Sequence, residues 1–217
     1  MITALRKELL LQWRTRAQAI AVFVFGATAL LLFSFAIGPS GALRQYAGGF
    51  LWLGLLLSST LTLSDSFHAE MENRALEGLL LLPVSPRVVY YGKALANTIQ
   101  LVALGIALVP VMVVLYDAGT TRIATIFVII ILGSAGISAP GTLYSAMTSQ
   151  ARAKQTLLPL LLFPLIVPVL LASVKATSLA ILGDPMEQGR SWMALLIAFN
   201  GIYWSLCGLL FDRVVED

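Results

Sequence analysis

The sequence predicts an all-α, polytopic integral membrane protein with six transmembrane helices and a short amphipathic helix on the cytoplasmic surface. Its 217 residues are 59% hydrophobic and 12% charged, whereas a soluble domain carries about 25% charged residues. Six segments are long and apolar, and no series of alternating segments of about ten residues suggests a β-barrel. Because helices satisfy their own backbone hydrogen bonds in lipid, an α-helical bundle is the expected form.

The six spans are expected to form one transmembrane domain, 1–217. We place them at about 17–37, 46–63, 94–116, 123–147, 156–173 and 191–211. At about 1.5 Å per residue the first is about 32 Å long, which matches a hydrocarbon core of about 30 Å. It exceeds the usual apolar length of a signal peptide and lacks a small-residue cleavage site, so we expect it to be a retained helix.

The distribution of basic residues predicts the orientation. With both termini in the cytoplasm, ten of the 14 basic residues lie inside and four, Arg44, Arg122, Lys175 and Arg190, lie outside. This bias follows the positive-inside rule and predicts a multi-pass membrane protein with both termini in the cytoplasm. The net charge of +3 expresses the same bias, so no nucleic-acid partner is expected.

All charged residues lie outside the spans or at their edges. Transporters coupled to protons or ions carry ionisable groups in the membrane interior. If this chain supports transport or mechanical work, the energy is therefore expected to come from a partner.

The fourth span carries a row of hydroxyl side chains at helical spacings of four, four and three: Ser134, Ser138, Thr142 and Ser145. Such a row can be a helix-packing face, because small residues permit close approach and hydroxyls can bridge helices. It can also form the wall of a polar pathway.

Four prolines predict kinks in the fourth and fifth spans, because each removes a backbone donor and clashes with the preceding turn. They are Pro140, Pro159, Pro164 and Pro168. These kinks can be static shape or hinges.

The segment 65–82, between spans two and three, has the pattern of an amphipathic helix that Pro83 ends. Its apolar stripe consists of Phe67, Met71, Ala75, Leu79 and Leu82. The segment is too short and too charged to cross the membrane, so we expect it on the cytoplasmic surface.

This helix is either an interfacial connector or a coupling helix that a soluble subunit grips. Four acids and a single base precede Pro83, whereas a helix that only lies on anionic lipid is rich in Lys and Arg. The acidic excess favours a protein partner. The candidate docking residues are Asp65, Phe67, Glu70, Met71, Glu72, Arg74, Glu77 and Leu79.

The sequence offers no catalytic residues, metal ligands or cofactor-binding residues. It lacks a GxxxxGK[ST] phosphate loop, and its only histidine, His68, has no cysteine near it in sequence. The only cysteine, Cys207, falls inside the last span. The chain is therefore not expected to be an enzyme on its own.

The chain resembles the cytochrome c maturation protein B family, also called haem exporter protein B. The resemblance is clearest in IGP at 37–39, WLGLLLSSTLTL at 52–63, ALEGLLLLPVSP at 75–86, GKALAN at 92–97, SAPG at 138–141 and FPLIVPVLL at 163–171. One departure is QAIAVFVF at 18–25, where relatives often carry an Asn-Pro pair before the apolar run.

The resemblance implies an ABC-2-like exporter permease with a cytoplasmic ATPase partner that binds ATP and Mg²⁺. It also implies association with a haem-handling membrane subunit and a small helical subunit, with haem held by these partners. ATP use would be linked to haem delivery or to release of a haem-loaded chaperone outside the membrane. Two alternatives are an ABC-type exporter subunit for a lipid or drug and a passive membrane scaffold for assembly.

Overall fold

Six α-helices make up the part of the chain that the computed structural model describes, which covers residues 16–38, 42–65, 86–119, 122–148 and 154–216. The helices are α1 (Arg16–Ile37), α2 (Ala42–Asp65), α3 (Pro86–Tyr116), α4 (Ile123–Thr148), α5 (Lys154–Leu182) and α6 (Gly189–Glu216). Each is long and apolar enough to cross a membrane, and the described ranges contain no strand. The prediction of an all-α protein with six membrane-spanning helices is confirmed.

Consecutive helices run in opposite directions, so the bundle has two ends. Near the end of α3, the Tyr116 hydroxyl donates a hydrogen bond of 2.7 Å to the Leu30 carbonyl in the last turns of α1. At the start of α3, Arg87 pairs with Asp212 near the end of α6. We call the end where α2, α4 and α6 begin the Arg122 end, and the opposite one the Arg87 end.

The central helix is α4, which contacts α2, α3, α5 and α6 and has 15 of its 26 residues buried. Small residues make this position possible. A Cβ atom added at Gly133 would lie 2.6 Å from Ser173 Oγ, and one added at Gly136 would collide with Val169. Glycines in α4 therefore permit the close packing against α5 that is typical of membrane bundles.

Two helices extend beyond the predicted spans by eight or nine residues, more than the others do. The third begins at Pro86 rather than at residue 94, because proline is preorganised for the first position of a helix. The fifth continues past residue 173 to Leu182, and its polar residue Thr177, beyond the predicted span, is fully buried within the bundle. Packing against other helices therefore shields polar residues that hydropathy places in a loop.

Glycines with positive φ follow the last residues of α1 and α5. Gly38 has φ 71° and its N–H donates to the Ser34 carbonyl, and Gly183 has φ 101° and donates to Leu179. This left-handed conformation favours glycine and satisfies a carbonyl of the last turn. Each helix thus ends where the chain turns at the Arg122 end.

The four predicted proline positions all lie inside continuous helices, as does Pro110 in α3. Pro140 lies in α4, and Pro159, Pro164 and Pro168 lie in α5. Membrane helices tolerate internal prolines because neighbouring groups satisfy the freed carbonyls. The kinks themselves stay a prediction.

Candidate functional site

The predicted coupling helix, 65–82, lies almost entirely in a part of the chain that the structure does not describe. Asp65 is the last residue of α2 and Pro86 is the first residue of α3. The segment 66–85 lies outside the described residues, and with it Phe67, Glu70, Met71, Glu72, Arg74, Glu77 and Leu79. The site can therefore be described through the two helix ends that flank this segment.

Both flanking helix ends are held by α4. The Ser145 hydroxyl donates a hydrogen bond of 2.5 Å to the Leu63 carbonyl near the end of α2. In the first turns of α3, the Tyr90 hydroxyl donates to the Ala139 carbonyl at 3.0 Å. A displacement of either flanking end would therefore act directly on the central helix.

A second set of contacts joins the start of α3 to the end of α6. We call it the α3–α6 clamp, and its members are Arg87, Tyr90, Tyr91, Trp204, Phe211 and Asp212. The guanidinium of Arg87 pairs with the carboxylate of Asp212, with the two side chains 51% and 23% exposed. An ion pair this exposed contributes little stability, about 0.2–1 kcal/mol.

Aromatic packing supplies the rest of the clamp. The Tyr91 ring stacks on Trp204 with centroids 6.2 Å apart, and its hydroxyl donates to the Trp204 carbonyl at 3.3 Å. Tyr90 is fully buried and its ring centroid lies 5.3 Å from that of Phe211. A Cβ added at Gly208 would collide with the Tyr91 hydroxyl. The start of α3 therefore fits closely against α6.

The four predicted hydroxyl residues of α4 are all buried, and three of them bond across helices. The Ser138 hydroxyl donates to the Ala94 carbonyl of α3 at 2.7 Å. The Thr142 hydroxyl accepts from Asn97 Nδ2 at 2.9 Å, and Ser145 donates to Leu63 as described above. Ser134 differs, because its hydroxyl has no hydrogen-bond partner among the described residues.

Sequence reasoning missed a buried hydrogen bond between side chains of α2 and α5. Trp52 is almost fully buried, and its indole N–H donates to the Thr177 hydroxyl at 2.9 Å. The nearby hydroxyl of Ser173 has no partner among the described residues. The available signal was a tryptophan in the middle of an apolar span, since a buried indole N–H usually finds an acceptor.

The α3–α6 clamp was also missed, although its residue types gave a signal. Tyrosine and tryptophan concentrate at membrane interfaces, and Tyr90 and Tyr91 lie in the first turns of α3, whereas Trp204 lies near the middle of α6. Arg87 and Asp212 are opposite charges at the same predicted side of the membrane. Sequence patterns do not reveal that α3 and α6 are neighbours.

The amino-acid sequence of the chain is similar to those of one family of known proteins. A family model described as "CcmB protein" matches residues 1–208. "Heme exporter protein B" of Pseudomonas aeruginosa is 29% identical over 198 residues, which cover 89% of this chain and 87% of that protein. The protein of the same name from Bradyrhizobium diazoefficiens is 28% identical over 195 residues, covering 88% and 86%. That from Paracoccus denitrificans is 33% identical over 171 residues, covering 77% of each chain.

Proposed function

Because the chain belongs to the CcmB protein family, we propose that it is the permease subunit of an ABC-type complex for cytochrome c maturation. It couples ATP hydrolysis in a cytoplasmic ATPase to haem delivery, or to release of a haem-loaded chaperone, outside the membrane. The relatives named "Heme exporter protein B" support the link to haem. Six membrane-spanning helices support the role of a membrane subunit.

The ATPase docks on the helix predicted at 65–82. The acidic residues Glu70, Glu72 and Glu77 meet the partner, and the apolar stripe seats the helix beside the bilayer or in a groove of the ATPase. ATP and Mg²⁺ bind in that subunit. The acidic excess over a single arginine before Pro83 supports docking on a protein rather than on anionic lipid.

Movement of the docking helix, driven by the ATPase, displaces α3, and α3 in turn displaces α6. The single observation that carries this route is the α3–α6 clamp, which begins at Arg87, one residue after α3 starts. The bond from Ser145 to Leu63 gives a parallel route from the end of α2 into α4. Both helices that flank the docking segment are thus tied to the rest of the bundle at the Arg87 end.

We assign the hydroxyl row of α4 to helix packing rather than to a polar pathway. Ser138, Thr142 and Ser145 already make bonds to α3 or α2, which supports this choice. The prolines of α4 and α5 give static shape, and the continuity of both helices supports that reading.

Haem is held by a haem-handling membrane subunit and a small helical subunit, not by this chain. The only histidine in the sequence, His68, lies in the predicted docking helix, so the predicted spans and outer loops supply no histidine as an axial ligand. The chain lies in the bacterial inner membrane with both termini and the Arg87 end in the cytoplasm. The Arg122 end then faces outside, with Arg44, Arg122 and Arg190.

The docking helix is tested by reversing its charge. Glu70, Glu72 and Glu77 are changed together to Lys, and recovery of the ATPase with the purified membrane complex is measured beside cytochrome c maturation. We expect both to fall, because a basic face repels a surface that complements an acidic one. In the control, Arg44→Glu reverses an exposed charge at the opposite end and should leave recovery unchanged. Undiminished recovery with normal maturation in the triple variant would refute docking at this helix.

A further inference from the structure

A cleft of about 540 Å³ opens at the Arg122 end between the start of α4, the end of α5 and the start of α6. It lies at the opposite end of the bundle from the α3–α6 clamp and the predicted docking helix, so no role discussed above uses it. Its volume lies in the range of small-molecule sites.

The rim of the cleft carries both signs of charge. Arg122, Arg190, Asp184 and Glu187 line it, which gives two positive and two negative groups. Asp184 is already engaged, because its two carboxylate oxygens accept the N–H groups of Gln188 and Gly189 at 2.9 and 2.8 Å. It caps the start of α6, so its carboxylate has a structural role.

Arg122 and Glu187 remain available to a ligand. Glu187 pairs with Arg190 at 3.7 Å, but the side chains are 76% and 89% exposed, and pairs of this kind contribute little. Arg122 is exposed, and among the described residues its guanidinium makes no ion pair. The rim therefore offers the guanidinium of Arg122 and the carboxylate of Glu187 to a dipolar group, and Arg190 adds a second guanidinium beside Glu187.

The wall of the cleft below this rim is apolar. Ile129, Ala176 and Ile197 line it, and the first two are buried. Ile129 lies six residues into α4 and Ile197 eight residues into α6, which correspond to depths of about 9 and 12 Å. A polar rim above an apolar wall of this depth spans the boundary between lipid headgroups and acyl chains.

We propose that this cleft binds one phospholipid with a phosphoethanolamine headgroup from the adjacent leaflet. Arg122 donates to the phosphate, Glu187 accepts from the primary ammonium, and an acyl chain follows Met193 and Ile197 of α6 into the bilayer. The paired charges of the rim select this zwitterionic headgroup, because an anionic headgroup without the ammonium would leave Glu187 beside like charge. The proposal requires only the membrane location and not the ATPase partner.

The proposal is tested by native mass spectrometry of the purified chain in detergent. Phosphatidylethanolamine, phosphatidylglycerol and phosphatidylcholine with identical acyl chains are added separately and in competition. We expect one saturable adduct with the ethanolamine lipid. Arg122→Gln should weaken it about tenfold through loss of a charge-assisted bond to phosphate. Glu187→Gln should abolish the preference over phosphatidylglycerol.

Two further variants separate this site from lipid that merely coats the bundle. Ile197→Trp places a larger side chain at an exposed wall position and should weaken all three lipids by blocking the acyl channel. Arg44→Gln removes another exposed arginine that does not line the cleft, and it should leave binding unchanged. A preference for phosphatidylglycerol, equal binding of all three lipids, or binding that Arg122→Gln does not change would overturn the proposal.

Discussion

Alanine at Gly133 should destabilise the bundle, because the position has no room for a methyl group. An added Cβ would lie 2.6 Å from Ser173 Oγ and 2.7 Å from Trp52 Cζ3. Both neighbours are held in place. Trp52 is 1% exposed and bonded to Thr177, and Ser173 is fully buried.

The expected cost follows from this lack of space. Overpacking a core costs about 1–3 kcal/mol, and two fixed neighbours place Gly133→Ala in the upper part of that range, about 2–3 kcal/mol. For a chain of this length, each kcal/mol lowers the midpoint of thermal unfolding by about 2–4 °C. The midpoint should therefore fall by about 4–12 °C, measured by heating the protein in detergent and quantifying the monodisperse fraction.

The chain supplies a matched control at Gly201. This glycine lies inside α6, and an added Cβ would meet nothing within 4 Å. Gly201→Ala should change stability by less than about 1 kcal/mol, with a gain from helix propensity. The penalty at Gly133 should shrink in a Trp52→Phe background, because the smaller ring leaves space and contacting residues are non-additive. Equal midpoints for the two glycine variants, or an undiminished penalty in that background, would refute the packing argument.

Two further predictions concern polar contacts. Ser138→Ala should lower the free energy of unfolding by about 1 kcal/mol, measured by thermal unfolding, because it deletes a hydrogen bond to the Ala94 carbonyl. Ser134→Ala should be nearly neutral, because that hydroxyl has no partner among the described residues. Equal costs for the two variants would contradict this assignment. Arg87→Glu should repel Asp212 and lower ATP-dependent cytochrome c maturation, with less than about 1 kcal/mol lost in stability. Adding Asp212→Arg should restore maturation, and failure of this charge swap would exclude the ion pair from the proposed route.

Hydropathy predicted the number and type of helices because each span is a continuous apolar run in lipid. It failed at helix ends where tertiary packing shields polar groups. Lys93 is 2% exposed inside α3, although its charge marked the edge of the predicted span. Thr177 lies in α5 beyond the predicted span, and its hydroxyl accepts a bond from Trp52, which is 125 residues away in sequence.

For the candidate site, too, the sequence predicted the local pattern but not the contacts between helices. The helical spacing of Ser134, Ser138, Thr142 and Ser145 predicted one row, and all four side chains are buried. The spacing could not identify the carbonyls and the amide that three of them bond, because those depend on which helices are neighbours. The stacking of Tyr91 on Trp204 in the α3–α6 clamp could not be predicted from sequence for the same reason. The docking helix at 65–82 stays a prediction from its sequence pattern.

The thiol of Cys207 is a built-in chemical probe of the α3–α6 clamp. It is the only cysteine in the sequence, it is 2% exposed, and it packs with Tyr90 and Phe211. A maleimide can modify the thiol only when the aromatic side chains around it separate. The rate of labelling therefore reports how often the packing around Cys207, between α3, α4 and α6, opens. If ATP turnover in the partner moves α3, nucleotide should change this rate in wild-type protein, with no cysteine engineered into the membrane.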